Sequence, residues 1–307
     1  MSNLAIVIPA YKSTYLSEAL NSIASQTCKD FKLYIGDDCS PNNIEEVVAK
    51  YRDKIDLVYK RFDTNLGGKD LVAQWERCID MTQGEEWLWL FSDDDVMEET
   101  CVEEFYRQKV AKPNNRLFRF NVNIINEDGV IISRLPQWPD QISAREIIDG
   151  KLIQHQLFSF VVEWVVHRNV FFNNGRFEKF DLAWGSDFLT WVKFADAVGG
   201  LSMIQTARVR WRRSSENITP NMESSIVYRK LLSQIENVKW LIDFTSKRGY
   251  CKKSLYSRFP LHRIRMDRKV LTRQQLKDLL KAYREKIKPS FVFKCLTYLL
   301  EIIWLKN

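Results

Sequence analysis

The chain has 307 residues, 45% of them apolar and 13% aromatic, enough to bury a large core, so general disorder is excluded. With 11 Gly and 8 Pro, a collagenous, low-complexity or turn-dense all-β chain is excluded as well, and no internal period suggests a solenoid. The net charge of +7 is concentrated between Lys247 and Lys288, where 15 Lys and Arg meet only Asp267, Asp278 and Glu285; the remainder is net acidic, so the overall basicity does not point to nucleic acid.

Leu4 to Ile8 is an apolar, β-branched run that predicts a strand, and Leu16, Ala19, Leu20 and Ile23 within residues 15–25 have helical spacing. The alternation repeats. Residues 31–36 read as a strand, 44–51 as a helix behind the start signal Ser40-Pro41, 57–61 as a strand, 71–81 as a helix and 87–91 as a strand that is apolar at every position. Unbroken apolar strands fit a parallel sheet covered on both faces, and βα units of this length predict a doubly wound α/β half.

After Lys112-Pro113-Asn114 the pattern becomes strand-rich. Residues 117–125 and 130–133, joined by Glu127-Asp128-Gly129, predict a hairpin; 158–167 and 201–211 predict further strands, with a helix over 187–195 between them. From Met222 helical periodicity continues to the end, with Pro260 and Pro289 as breaks. The expected division is 1–112, 113–220 as the second half of the same domain, and a helical, basic extension over 221–307.

In an open parallel sheet, ligands bind at the carboxyl ends of the strands. Two acid clusters fall there: Asp37-Asp38 after the second strand and Ser92-Asp93-Asp94-Asp95 after the fourth. Three consecutive carboxylates repel one another and resist desolvation, which a bound hard cation relieves; capping of the following helix is the simpler alternative. There is no GxxxxGK[ST] and no GxGxxG after a strand, so a phosphate would rely on a metal and basic side chains.

Val7-Ile8-Pro9-Ala10-Tyr11, Ser25-Gln26-Thr27, Ile35-Gly36-Asp37-Asp38-Cys39-Ser40, Asn65-Leu66-Gly67 and Leu90-Phe91-Ser92-Asp93-Asp94-Asp95 occur in the order and spacing of family 2 glycosyltransferases. The chain resembles that family over about residues 4 to 215. The resemblance implies a GT-A fold, Rossmann-like, with a mostly parallel sheet, helices on both faces and, here, the C-terminal helical extension. It makes 1–112 the nucleotide-sugar-binding half and 113–220 the acceptor-binding half. By the same resemblance Asp38 contacts the uracil of a UDP-sugar, and Pro9, Tyr11 and Asp93 belong to the donor side, with Arg212 and Arg213 as the candidate basic residues there. Asp94 and Asp95 hold a divalent metal, Mn²⁺ or Mg²⁺, and Asp187 is the catalytic base of an inverting transfer. Three positions depart from the family pattern. Gln74 stands where a basic residue is common, Ser186 where an acid usually precedes Asp187, and the histidine that often follows the last strand is absent from Trp211-Arg212-Arg213-Ser214-Ser215, where Arg212 and Arg213 either neutralise the donor diphosphate in its place or form a solvated surface pair.

The implied reaction moves a sugar from a nucleotide-sugar donor to a glycan or lipid-linked oligosaccharide, as in cell-envelope polysaccharide synthesis. A glycosidase would need neither nucleotide nor metal, and the triple acid argues against it. A non-catalytic sugar-nucleotide-binding or scaffold protein of the same fold is the remaining alternative.

Six dispersed cysteines without a CxxC, and an N-terminus that runs straight into a strand, predict a reduced, cytoplasmic chain. Residues 291–305 are apolar but interrupted by Lys294 and Glu301 and short for a bilayer span. Beside the basic segment they are read either as a peripheral contact with an anionic inner membrane face or as a helix packed on the catalytic domain, with nucleic acid disfavoured as a partner. Trp138, Trp164 and Trp184 are placed in the core or against a sugar ring.

Overall fold

Strands β1 (Leu4–Ala10), β2 (Lys32–Asp37), β3 (Leu57–Arg61) and β4 (Trp87–Leu90) alternate with helices α1 (Leu16–Ala24), α2 (Ile44–Ala49) and α3 (Leu71–Ile79) in the computed structural model, which describes residues 3–306. Met1, Ser2 and Asn307, the outer ends of the first and last expected segments, lie outside the described residues. The second half runs β5 (Val96–Met97), α4 (Cys101–Ala111), β6 (Leu117–Ile125), β7 (Ile131–Arg134), β8 (Gln141–Ile142), α5 (Ala144–Leu152), β9 (Trp164–His167), α6 (Arg168–Asn173), α7 (Ser186–Ala197) and β10 (Leu201–Arg212). It is followed by α8 (Ser224–Lys247), α9 (Lys253–Tyr256), α10 (Arg258–Asp267), α11 (Arg273–Ile287) and α12 (Phe291–Lys306).

All ten strands form one sheet, ordered β3-β2-β1-β4-β9-β6-β10-β5, with β7 paired to β6 and β8 to β10. The four N-terminal strands are parallel, as their unbroken apolar runs predict. Beyond them the sheet is mixed: β6 and β10 are parallel, but β9 enters antiparallel between β4 and β6. Mostly parallel therefore describes the first half better than the whole.

Alternation along the strands divides the core in two. Leu4, Ile6 and Ile8 of β1 and Trp87 and Trp89 of β4 join α1, α2 and α4 on one face. Ala5, Val7, Leu88 and Leu90 turn to the other, where α3, α5, α7, α8, α10 and α11 pack. Truncating a fully buried Ile6 to Ala should cost about 2–5 kcal/mol, since the cavity sits between a sheet and a helix that cannot readily collapse. The C-terminal helices thus complete the second core. Pro260 lies in the first turn of α10, where it offers no amide to continue α9, and Pro289 separates α11 from α12.

The strand expected over 158–167 begins only at Trp164. Glu163 explains the difference: its carboxylate accepts from the Phe160 amide at 2.8 Å and turns the chain before the ladder starts.

Candidate active site

In the order β3-β2-β1-β4 the chain leaves β1 for β2 on one side and returns to β4 on the other, so the carboxyl end of β1 is a topological switch point. Three loops are stitched together there. The Tyr11 carbonyl accepts from Ser40 Oγ at 2.5 Å and from Asn42 Nδ2 at 3.1 Å, while the Tyr11 and Lys12 amides donate to Asp93 Oδ2 at 2.9 and 2.8 Å. Pro9 lies in β1 opposite Gly36 of β2, and the Tyr11 ring is 41% exposed at the opening.

The two acids of the first cluster have different surroundings. Asp37 is wholly buried and accepts from the Ser40 amide at 2.8 Å, Tyr59 Oη at 2.7 Å and Arg61 Nη1 at 2.8 Å, which makes it a strut of the β2 loop. Asp38 receives the Leu66 and Gly67 amides, both at 2.7 Å, and is paired with Arg77. A Cβ at Gly67 would lie 2.7 Å from Asp38 Oδ2, so only glycine lets this backbone approach. Gln74 accepts from Arg77 Nε and donates to the Gly36 carbonyl at 3.2 Å. The neutral residue thus orients a basic one a turn further along α3, and Arg77 supplies the charge whose absence at Gln74 looked like a departure.

In the second cluster Asp93 is held by the β1-loop amides. Burial, and then the neighbouring Asp94, push its carboxyl up to about 6 against the opposing pull of Lys12. Asp94 receives Lys12 Nζ at 2.7 Å and Ser92 Oγ. Burial alone would lower the pKa of Lys12, yet Asp93 and Asp94 together raise it. Asp95 is 1% exposed and accepts the Arg212 amide at 2.6 Å; burial and Asp94 hold its carboxyl well above the ordinary range.

Hard carboxylate oxygens suit Mg²⁺ or Mn²⁺, and Asp94 already holds a cationic group, so the donor set fits a divalent ion. Asp94 is the residue that would hold it. Asp95, expected as a second ligand, ties its loop to β10 through the Arg212 amide on Oδ1. Among the described residues no cluster of three or more His, Cys, Asp or Glu has the geometry of a metal site.

Arg212 and Arg213 part company. Arg212 is fully buried, with Nε on the Asp94 carbonyl at 2.8 Å, Nη1 on the carbonyls of Asn126 at 3.1 Å and Glu127 at 2.8 Å, Nη2 paired with Glu18, and the Tyr15 ring 4.2 Å from the guanidinium. With its fork committed to these partners it braces the acid loop, and the donor contact expected of it is not available in this arrangement. Arg213 is exposed and lines a shallow pocket of about 450 Å³ with Asn126, Glu127, Asp128 and Ser215. Those acids make the pocket a poor seat for a diphosphate.

Because β9 runs antiparallel, its start lies beside the carboxyl end of β4, and Trp89 Nε1 donates to the Val162 carbonyl at 2.7 Å. Glu163 is therefore at the same edge as the acid loop. It is paired with Arg119 at 3.3 Å, and burial pushes its carboxyl up to about 7 although Arg119 pulls it down. Asp187, half-buried in the first turn of α7, contributes to that rise. Its own carboxyl is raised by burial and restrained by Lys151 and the Phe188 amide.

The turn before Asp187 needs Gly185 at φ +83°, where a Cβ would meet Asn237 Nδ2 of α8 at 2.1 Å. Asn237 Nδ2 donates to the Trp184 carbonyl at 2.9 Å, and Arg229 holds Asp181 at 2.8 Å. Ser186 Oγ accepts the Phe180 amide at 3.0 Å, so the serine that replaces an acid is a buried turn residue. Trp138 and Trp164 are core residues, and Trp184 is half-buried 5.0 Å from Lys230 Nζ.

Residues 5–166 match the family model described as Glycosyl transferase family 2. The chain belongs to that family. Among curated relatives it is similar to the poly(ribitol-phosphate) beta-N-acetylglucosaminyltransferase TarS of Staphylococcus aureus (strain Mu50), 33% identical over 33% of this chain and 18% of TarS. It is also similar to the chondroitin synthase of Pasteurella multocida (strain Pm70), 26% identical over 52% of this chain and 16% of the synthase. The chain thus spans less than a fifth of the length of these two relatives. Its fold is similar to that of S. aureus TarS 1–349 solved with UDP-GlcNAc, with a TM-score of 0.59 and 16% identity over 92% of this chain and 82% of the other. It also resembles the mannosyltransferase PcManGT from Pyrobaculum calidifontis, solved with GDP-Man and Mn²⁺, with a TM-score of 0.52 and 11% identity over 78% and 64%. The GT-A fold expected from the motifs is the fold observed.

Lys12, Arg77, Glu163 and Asn217 join the candidate site without having been expected from the sequence. Lys12 follows the quoted Pro9-Ala10-Tyr11 directly, and Arg77 lies three residues past Gln74 on one helical face, so both were within reach of the pattern. Glu163 and Asn217 join the site only through tertiary packing.

Proposed function

We propose that this family 2 glycosyltransferase moves a sugar from a UDP-linked donor to a hydroxyl of a glycan or lipid-linked oligosaccharide with inversion at the anomeric carbon. The observation that carries the reading is the contrast between two carboxylate environments. Asp38 and Asp94 are set in amides and cations suited to a nucleoside diphosphate, whereas Asp187 is half-buried with a raised pKa and no fixed cationic partner closer than Lys151's influence. A carboxylate so placed accepts the proton of an attacking hydroxyl as the glycosidic bond forms. A divalent ion at Asp94 would supply Lewis-acid stabilisation of the leaving diphosphate. Asp93 would fix the donor-side loop through the Tyr11 and Lys12 amides, with Pro9 and Tyr11 shaping its wall.

The UDP-GlcNAc and UDP complexes of TarS support the uridine donor by likeness of fold. A thermal-shift screen of UDP-, GDP-, CDP- and dTDP-sugars with Mn²⁺, Mg²⁺ or EDTA tests it, since a ligand specific to the folded state raises the melting point. A metal-dependent shift with UDP-sugars, followed by transfer to an oligosaccharide, is the expected result. Binding without turnover would favour the non-catalytic alternative.

Among the described residues no helix is long and apolar enough to cross a membrane. Helix α12 nevertheless exposes Phe291, Val292, Leu299 and Ile302 beside the basic α10–α11 region. This supports peripheral contact with an anionic, cytoplasmic membrane face, where a lipid-linked acceptor would reside. Co-sedimentation with anionic vesicles, unchanged on deleting residues 290–307, would refute it.

A further inference from the structure

Lys12 is bonded to the acid triplet twice. Its amide donates to Asp93 Oδ2 at 2.8 Å, and its ammonium bridges Asp94 Oδ2 at 2.7 Å and Asn217 Oδ1 at 2.9 Å. Asn217 is itself fixed, because its Nδ2 donates to the Arg212 carbonyl at 2.6 Å. An ammonium carries three N–H donors, and two are engaged here. The Lys12 side chain is 27% exposed while Asp94 is nearly buried, so the ammonium stands between the carboxylate and the opening.

A divalent ion would approach the same oxygen to about 2.1 Å. A second cation on Asp94 Oδ2 would lie only about 4 Å from the ammonium, so each weakens the other's hold on that carboxylate. We propose that Lys12 is the resident cation of the site: without nucleotide it occupies the position of the metal at Asp94, and an incoming diphosphate draws its ammonium away, freeing Asp94 for the ion. Lys12 then binds the leaving diphosphate directly, and metal and nucleotide bind cooperatively. The inference rests on the nucleotide-sugar reading for its second half; the competition at Asp94 does not require it.

The test uses the full chain as wild type, Lys12→Met, Lys12→Gln and Lys12→Arg. Mn²⁺ binding without nucleotide is followed by the electron paramagnetic resonance signal of the free ion, and UDP binding by calorimetry with EDTA or Mn²⁺. Losing the competing charge should tighten Mn²⁺ binding by Lys12→Met and Lys12→Gln about tenfold and weaken UDP binding in EDTA about tenfold, with Lys12→Arg close to wild type. A second substitution, Asp94→Asn, should abolish the gained Mn²⁺ binding. Equal Mn²⁺ affinity in wild type and both neutral variants, including none in any, overturns the competition; unchanged UDP affinity overturns the diphosphate contact. Failure of wild type to bind UDP while the neutral variants gain Mn²⁺ would reject the proposed donor and leave the competition standing.

Discussion

Replacing Arg212 by Met separates bracing from donor binding. The side chain is fully buried and donates to three carbonyls, those of Asp94 in the core and of Asn126 and Glu127 at its margin, besides pairing with Glu18. Charge-assisted bonds contribute about 1.5–3 kcal/mol each when buried, and less at the margin. The Glu18 side chain is half exposed, so its ion pair adds at most about 1 kcal/mol. Methionine fills most of the volume and restores none of these bonds, so the expected loss is about 3–5 kcal/mol. At roughly 2–3 °C per kcal/mol for a chain of this size, the melting point should fall by about 6–15 °C. Urea unfolding followed by tryptophan fluorescence, with calorimetry in parallel, measures both. Arg212→Lys should recover part of the loss, since one ammonium cannot span the acceptors of a guanidinium fork. A loss below about 1 kcal/mol, joined to a tenfold fall in UDP affinity, would refute the bracing role and restore the donor contact.

Asp187→Asn should lower sugar transfer by about 10²–10⁴-fold with UDP-sugar affinity nearly unchanged; because burial raises this carboxyl, the acidic limb of the wild-type rate profile should be shifted upward from that of an ordinary aspartate and vanish in the variant, and unchanged turnover rejects the base. Glu163, pushed up to about 7 by burial, keeps its proton in the folded state over a range where the unfolded chain, near 4.3, has released it. Stability contributed by that proton is therefore present at pH 4 and lost as pH rises to about 7, so wild type should lose about 2–4 kcal/mol relative to Glu163→Gln across that window in urea unfolding; a pH-independent difference would contradict it. Gly185→Ala drives a Cβ into Asn237 at a left-handed backbone position, and should both destabilise the chain by about 1–3 kcal/mol and reduce kcat more than KM by displacing Asp187; steady-state kinetics on the folded variant decides.

The first half of the fold was legible because its signals are local. Leu16, Ala19, Leu20 and Ile23 are all buried at helical spacing, and every residue of β4 is covered on both sides as its apolar run requires. What escaped has short or nonlocal causes. The two-residue strands β5 and β8 exist only as partners of β10. Helix α5 was announced by Ser143 and Glu146, whose reciprocal capping box is formed, but the signal lies in a stretch otherwise without a clear period. Helix α4 buries Cys101, Val102, Glu104 and Phe105, and the polar remainder conceals this short stripe. In the site, the acid clusters were visible as motifs, and Lys12 and Arg77 lay close to motif positions without any local sign of which acid they meet, whereas Arg61 and Arg212 answer from segments that no spacing rule connects.

These partners explain how so many carboxylates persist at one sheet edge. Arg61 from β3 meets Asp37, Arg77 from α3 meets Asp38, backbone amides after β1 meet Asp93, and the Arg212 amide at the end of β10 meets Asp95. Each answer fixes one loop to another, so neutralising the acids and assembling the site are the same event. Leaving any one acid unpaired would expose a buried charge, which costs more than the pair itself contributes. Asp94 differs in being met by an ammonium, a compact point charge, where the others are met by guanidinium forks or backbone amides. The other partners set a frame that holds the loops together, and Lys12 is the member proposed to leave it when a diphosphate arrives.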